Sequence, residues 1–184
     1  MAAPEPYHLV STWRLRAPVP VVWELLADPA FTWHRWWPLL RTDVVRAHAD
    51  PDGRAVPGAG VTLRVHSPAS RALRVRLTLT AVTPPAGHPV PAPGHARFTA
   101  DGDLVGTACV VVRPVPCGSV VALRWEVTPA AERPGLAAHR RLSTAAHSAV
   151  MRVGETGLRH RLRRRATSPC ADSPAPTLTD RLLR

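Results

Sequence analysis

The chain has 184 residues and a formal net charge of +11, with 24 Lys+Arg against 13 Asp+Glu. Every one of those cations is an arginine, and Lys, Asn, Gln and Ile are absent, a usage that points to a GC-rich genome and weakens a nucleic-acid reading of the charge. The length sets one domain, large enough to bury a core without disulfides, and excludes a disulfide-stapled miniature.

The first element is an alternating strand. Tyr7, Leu9, Trp13 and Leu15 share one face while His8, Thr12, Arg14 and Arg16 share the other, the period of a half-buried strand. Pro18 then opens a helix whose apolar stripe, Val22, Trp23, Leu25 and Leu26, stops near Asp28-Pro29. Trp33, Trp36 and Trp37 follow in a second short helix. One short helix cannot hide that much aromatic surface, so a core or a ligand has to cover it. A strand from about Leu39 to His48 ends in an Asp-Pro-Asp-Gly turn. Gly58 and Gly60 precede the next strand, VTLRVHS. This pair opens a strand and lacks a third glycine, so it reads as a loop or bulge and not as a dinucleotide fingerprint.

From Ala72 the alternation is clean, with Leu73, Val75, Leu77 and Leu79 inward and Arg74, Arg76, Thr78 and Thr80 outward. Pro84 to His95 is Pro-rich and cannot sustain a ladder, so a protruding loop is expected over 84–95. Strands are expected at Ala96 to Gly102, Thr107 to Arg113 and Ser119 to Thr128, the last with Val121, Leu123, Trp125 and Val127 inward. A long helix from about Leu136 to Arg164 carries the stripe Leu142, Ala146, Ala149, Val150, Val153, Gly157 and Leu162. Eight arginines from Arg140 to Arg165 face the single Glu155, concentrated where cations complement a helix C-terminus. The organisation expected is a flexible segment over 1–6, a folded domain over 7–165 and a disordered tail over 166–184.

That order of elements, together with ADGDLVGT at Ala100 to Thr107 and HSAVMRVGETGLRHRL at His147 to Leu162, resembles the START-like, helix-grip superfamily (SRPBCC), and within it the bacterial polyketide cyclase/dehydrase-like proteins. The resemblance covers roughly Tyr7 to Leu162. It implies an α+β helix-grip fold: a curved antiparallel sheet of six to seven strands wrapped around a long C-terminal helix, with two short helices after the first strand. It also implies a hydrophobic cavity for a polyketide, lipid or isoprenoid, with cyclase or dehydratase chemistry as one use of it. In the resembling subgroup the position of His147 lies in an Asn-His-Asp-like run. Here Ala146 and Ser148 flank it, and a tryptophan two turns further on is replaced by Val153.

No GxSxG, HExxH, P-loop or paired-cysteine pattern is present in the sequence. His34 and His147 are the candidate acid–base groups, with Asp101 and Asp103 as further polar cavity candidates. Trp13, Trp33, Trp36, Trp37, Leu63, Val75, Leu77, Phe98, Trp125, Val150 and Val153 are the candidate ligand contacts. Cys109, Cys117 and Cys170 are odd in number and lack CxxC spacing, so they read as free thiols in a reducing compartment. No metal and no cofactor are expected, nor is a specific nucleic-acid partner. No leader-like or bilayer-length apolar run is found in the sequence, so a cytoplasmic location follows as an expectation. The alternative functions are a non-catalytic lipid-binding or transport protein, or a peripheral module contacting anionic membrane or nucleic acid through the Arg-rich helix end.

Overall fold

The computed structural model describes residues 5–67, 70–87, 92–131 and 140–166. Residues 1–4, 68–69, 88–91, 132–139 and 167–184 lie outside the described residues. They hold most of the expected N-terminal segment, the centre of the Pro-rich loop, the expected start of the long helix and nearly all of the tail.

Seven strands form one antiparallel sheet: β1 (Tyr7–Leu15), β2 (Leu40–Arg46), β3 (Gly60–Ser67), β4 (Ser70–Thr83), β5 (Gly94–Gly102), β6 (Leu104–Val115) and β7 (Gly118–Pro129). Their spatial order is β1-β7-β6-β5-β4-β3-β2. The two earliest strands therefore sit at opposite edges, and the chain between them has to cross the sheet. It does so through α1 (Val19–Leu26) and a 3-10 turn (Thr32–Arg35), laying the tryptophan cluster over the concave face. The long helix, α2 (Arg140–Ala166), lies against the same face.

Curvature comes from defects in the ladders. Register shifts fall between Thr42 and Val44 and between Leu79 and Ala81, and an extra residue in one strand bends it and increases local twist. The inward faces of β4 and β5, with Val75, Leu77, Leu79, Phe98 and Ala100 buried, become the inside of a trough.

Two strand limits differ from the sequence reading. The ladder reaches further into the Pro-rich stretch, because Gly94 and His95 pair with Val112 and Val111. A side chain at Gly94 would stand 2.5 Å from the Trp23 ring, so the absence of one lets β5 run beneath α1. β6 begins at Leu104, three residues before the expected Thr107, so the segment Ala100 to Thr107 is a tight hairpin joining β5 to β6. Gly102 takes φ +101°, a conformation that side chains disfavour, and a Cβ there would meet the Arg74 carbonyl at 2.6 Å.

The stripe on α2 is rotated from the expected one. Val150, Met151, Leu158 and Leu162 are buried, Val153 is half-buried and Leu142 is 51% exposed. Among the described residues no helix is long and apolar enough to cross a membrane.

Candidate functional site

The tryptophan cluster is fixed one side chain at a time. Asp28 accepts hydrogen bonds from the backbone N–H groups of Ala30 (2.9 Å) and Thr32 (3.2 Å) and from the Thr32 hydroxyl. This clamp holds Phe31 at φ +46°, an uncommon conformation for a bulky residue, and turns its ring into the core at 2% exposure. Phe31 packs edge-on against Trp33 at 5.2 Å, and Trp33 edge-on against Phe98 at 6.4 Å. The Trp33 indole N–H donates to the Leu26 carbonyl at the end of α1 (3.0 Å). Trp37 stacks on Trp36 at 5.6 Å and meets Trp13 edge-on at 5.3 Å. Its indole N–H donates to the Val150 carbonyl in the middle of α2 (2.9 Å).

Gly154 and Gly157 serve close helix packing here. A Cβ on Gly154 would lie 2.3 Å from the Trp37 ring, and one on Gly157 would lie 1.7 Å from the Trp36 carbonyl oxygen. The helix thus rests on the tryptophan turn towards its C-terminal half. Nearer its N-terminus it stands off from the sheet.

The gap is a cavity of about 500 Å³. Its floor is the concave face of the sheet, including Leu63, Val75, Leu77, Phe98, Ala108, Leu123 and Trp125. Its roof is Leu142, Ser143, Ala146, His147, Val150 and Met151 of α2, and its end wall is Phe31, Trp33, Trp36 and Trp37. The half-exposed Leu142 marks a side that solvent also reaches. Apart from the indoles, the polar lining side chains among the described residues are Tyr7, Cys109, Ser143 and His147, and no Arg, Asp or Glu is among them.

His147 packs edge-on to Trp125, with ring centroids 6.5 Å apart. Burial pushes its pKa down from 6.5 to about 4, because the surroundings penalise the charged imidazolium. The ring is therefore neutral at physiological pH. Its Nε2 and the Trp36 Nε1 are both buried without a hydrogen-bond partner.

No family model matches the chain, and no curated protein does. Solved structures do. The KanY protein, an NMR structure, aligns with a TM-score of 0.61 at 17% identity over 86% of this chain and 98% of its own. A START superfamily protein from Mycobacterium smegmatis aligns with a TM-score of 0.56 at 13% identity, over 85% and 97% of the two chains. The fold is START-like. Protein Ms6760 from Mycobacterium smegmatis adds a TM-score of 0.55 at 19% identity over 84% and 90%. Identities this low speak to the START-like architecture alone.

Within that START-like frame the sequence candidates separate. Trp33, Trp36, Trp37, Leu63, Val75, Leu77, Phe98, Trp125, Val150 and His147 line the cavity. Trp13 is 2% exposed behind Trp37, and Val153 packs against the core, so neither is part of the lining. His34 is not part of the lining either; its Nδ1 is 3.0 Å from the Thr42 hydroxyl, at the root of β2. The carboxylates proposed as polar cavity groups point elsewhere. Asp101 pairs with Arg76 (2.8 Å) on the exposed side of the sheet, and Asp103 accepts the Arg74 backbone N–H (2.7 Å) in the β5–β6 turn. Both lie on or beside the β5–β6 hairpin.

Sequence reasoning missed Phe31, Met151 and Ser143 as lining residues. Phe31 could have been found from the Asp-Pro-Ala-Phe-Thr order, where Asp28 caps the turn. Met151 and Ser143 required the true rotation of α2. Cys109 is half-buried and Cys117 exposed, both as free thiols, while Cys170 lies outside the described residues.

Proposed function

We propose that the protein binds a small hydrophobic or aromatic molecule of the polyketide, lipid or isoprenoid class between the sheet and α2. The observation that carries this is the cavity itself. Protein interiors pack like organic crystals and leave few voids larger than a water molecule, whereas this one measures about 500 Å³ and is lined almost wholly by apolar side chains. That volume lies in the range of small-molecule pockets, which run from about 300 to 1,000 Å³.

The size of the ligand follows from the energetics. Apolar burial contributes about 25 cal/mol per Å², and micromolar affinity corresponds to about 8 kcal/mol. At least roughly 330 Å² of ligand surface must leave water, more once ordering costs are included. Two or three fused rings, or an acyl chain of similar area, meet that requirement.

Binding is favoured over acid–base catalysis because an efficient proton-transfer group has a pKa near the working pH, while burial holds His147 at about 4. Contact with anionic partners through the helix end is less favoured. Several of those arginines are already engaged: Arg159 bridges Glu155 and the Arg14 carbonyl, and Arg165 faces Glu24.

The test is titration with 1-aminoanthracene, a neutral fluorescent tricycle. Ala108→Phe and Ala146→Phe, which place a ring in the cavity, should each weaken binding by more than tenfold. Thr99→Phe, on the exposed face, should leave it unchanged. Equal binding by all three variants would refute a site between sheet and helix.

A further inference from the structure

The described residues contain three buried side-chain polar atoms without a hydrogen-bond partner, and two of them, Trp36 Nε1 and His147 Nε2, belong to side chains that line the cavity. The third, Ser119 Oγ, lies at the β1–β7 ladder. Buried polar groups are normally paired, and an orphan is costly. Two of the three unpartnered atoms among the described residues thus belong to side chains of the cavity wall, each covered from solvent in this conformation. His147 and Ser143 stand one helical turn apart on the roof, opposite Trp125, whereas the end wall is aromatic.

We propose that the ligand is an uncharged apolar molecule bearing a carbonyl or hydroxyl oxygen, bound with that oxygen hydrogen-bonded to the His147 imidazole beside Ser143 and its apolar body against the Phe31–Trp33–Phe98 wall. This rests on the cavity being a binding site. The imidazole is neutral because burial holds its pKa at about 4, so it offers one donor and one acceptor and suits either kind of oxygen. Nε2 is covered in this conformation, so the bond requires the imidazole to turn as the ligand enters. A carboxylate is disfavoured because no cationic side chain is among the described lining residues, and an unpaired buried charge is far costlier than an unpaired hydroxyl.

A matched series tests this: phenanthrene, 9-phenanthrol and phenanthrene-9-carboxylate, titrated by calorimetry at pH 7. The hydroxyl compound should bind roughly two- to tenfold more tightly than the hydrocarbon, the scale of one net hydrogen bond. The carboxylate should bind more than tenfold more weakly than the hydroxyl compound. His147→Leu should abolish the hydroxyl preference while retaining phenanthrene, and His147→Gln, a neutral donor and acceptor, should keep part of it. A hydroxyl preference that persists in His147→Leu would overturn the assignment to His147, and tight carboxylate binding would overturn the neutral-ligand class. Failure of all three compounds, with both variants folded, would instead count against the cavity as a site for such ligands and remove the basis of the inference with it.

Discussion

Replacing Gly157 or Gly154 with alanine should destabilise the protein, against the usual trend for helices. In an open helix interior Gly→Ala stabilises by about 1 kcal/mol. At Gly157 the new methyl would arrive 1.7 Å from the Trp36 carbonyl oxygen, a backbone atom that cannot swing aside. Either α2 or the tryptophan turn has to move. Overpacking of this kind costs about 1–3 kcal/mol. Displacing the turn also strains the Trp37 N–H bond to the Val150 carbonyl, and an orphaned buried donor costs about 1–3 kcal/mol. Subtracting the propensity gain leaves a net loss of about 1–5 kcal/mol for Gly157→Ala. At Gly154 the clash is with the Trp37 ring at 2.3 Å, and after the same subtraction the net loss should be about 0–2 kcal/mol.

Urea denaturation followed by tryptophan fluorescence measures both, and an unchanged slope would show that only stability has moved. Trp37→Phe removes the ring atoms nearest the Gly154 methyl, so Gly154→Ala combined with Trp37→Phe should cost less than the two single changes added together. Ser148→Ala, at an exposed helix position, should stay within about 0.5 kcal/mol of the parent. Stabilisation by about 1 kcal/mol at either glycine would mean that the helix does not rest on the tryptophan turn, and the packing described above would be wrong.

The lowered pKa of His147 predicts a pH dependence of stability. In the unfolded chain the imidazole takes a proton near 6.5, whereas in the folded protein it does so only near 4. Between those values the unfolded state binds more protons, so stability falls as pH drops from 6.5 to 4, by up to about 3 kcal/mol. His147→Leu should lose that component, which a comparison of the two denaturation curves at pH 7 and pH 4.5 would reveal as a pH-dependent difference. Asp28→Ala removes the acceptor that holds Ala30 and Thr32; a loss of about 1–2 kcal/mol, with weaker binding of 1-aminoanthracene as Phe31 leaves its left-handed turn, is expected from thermal denaturation and titration. Trp36→Phe deletes the unpartnered N–H together with one ring of a buried indole, so the void left behind should outweigh the relief and cost about 1–3 kcal/mol in urea denaturation.

The parts of the fold set by period and punctuation were readable in the chain. Tyr7 to Leu15 alternates cleanly, and its partner β7 shows the same alternation through Val121, Leu123 and Val127, which are buried as expected. The end of β5 at Gly102 was read correctly, but β6 starts at Leu104 and not at Thr107, because Gly102 at φ +101° lets the chain reverse within one intervening residue, a conformation that leaves no mark in the sequence. The helix stripe was misplaced because the surface that Gly154 and Gly157 pack against cannot be read from the helix alone. Both belong to the packed surface only because the Trp36–Trp37 turn comes from a distant part of the chain to meet them.

The candidate site was legible as composition more than as geometry. Three clustered tryptophans called for cover, and the structure covers them in two ways. Trp37 is packed between Trp13 and α2, and Trp33, Trp36 and the remaining face of Trp37 line the cavity. His147 could be named from the sequence, but its neutral state depends on burial beneath the sheet's concave face. Asp101 and Asp103 looked like cavity groups until the hairpin placed them against Arg76 and the Arg74 backbone.

Native mass spectrometry of the protein purified from a high-GC host, with a denatured control, tests the central claim most directly. A cavity that binds a hydrophobic molecule predicts a defined adduct of a few hundred daltons that is lost on denaturation and reduced in Ala108→Phe. An apo mass that stays unchanged after incubation with saturating 1-aminoanthracene would contradict it.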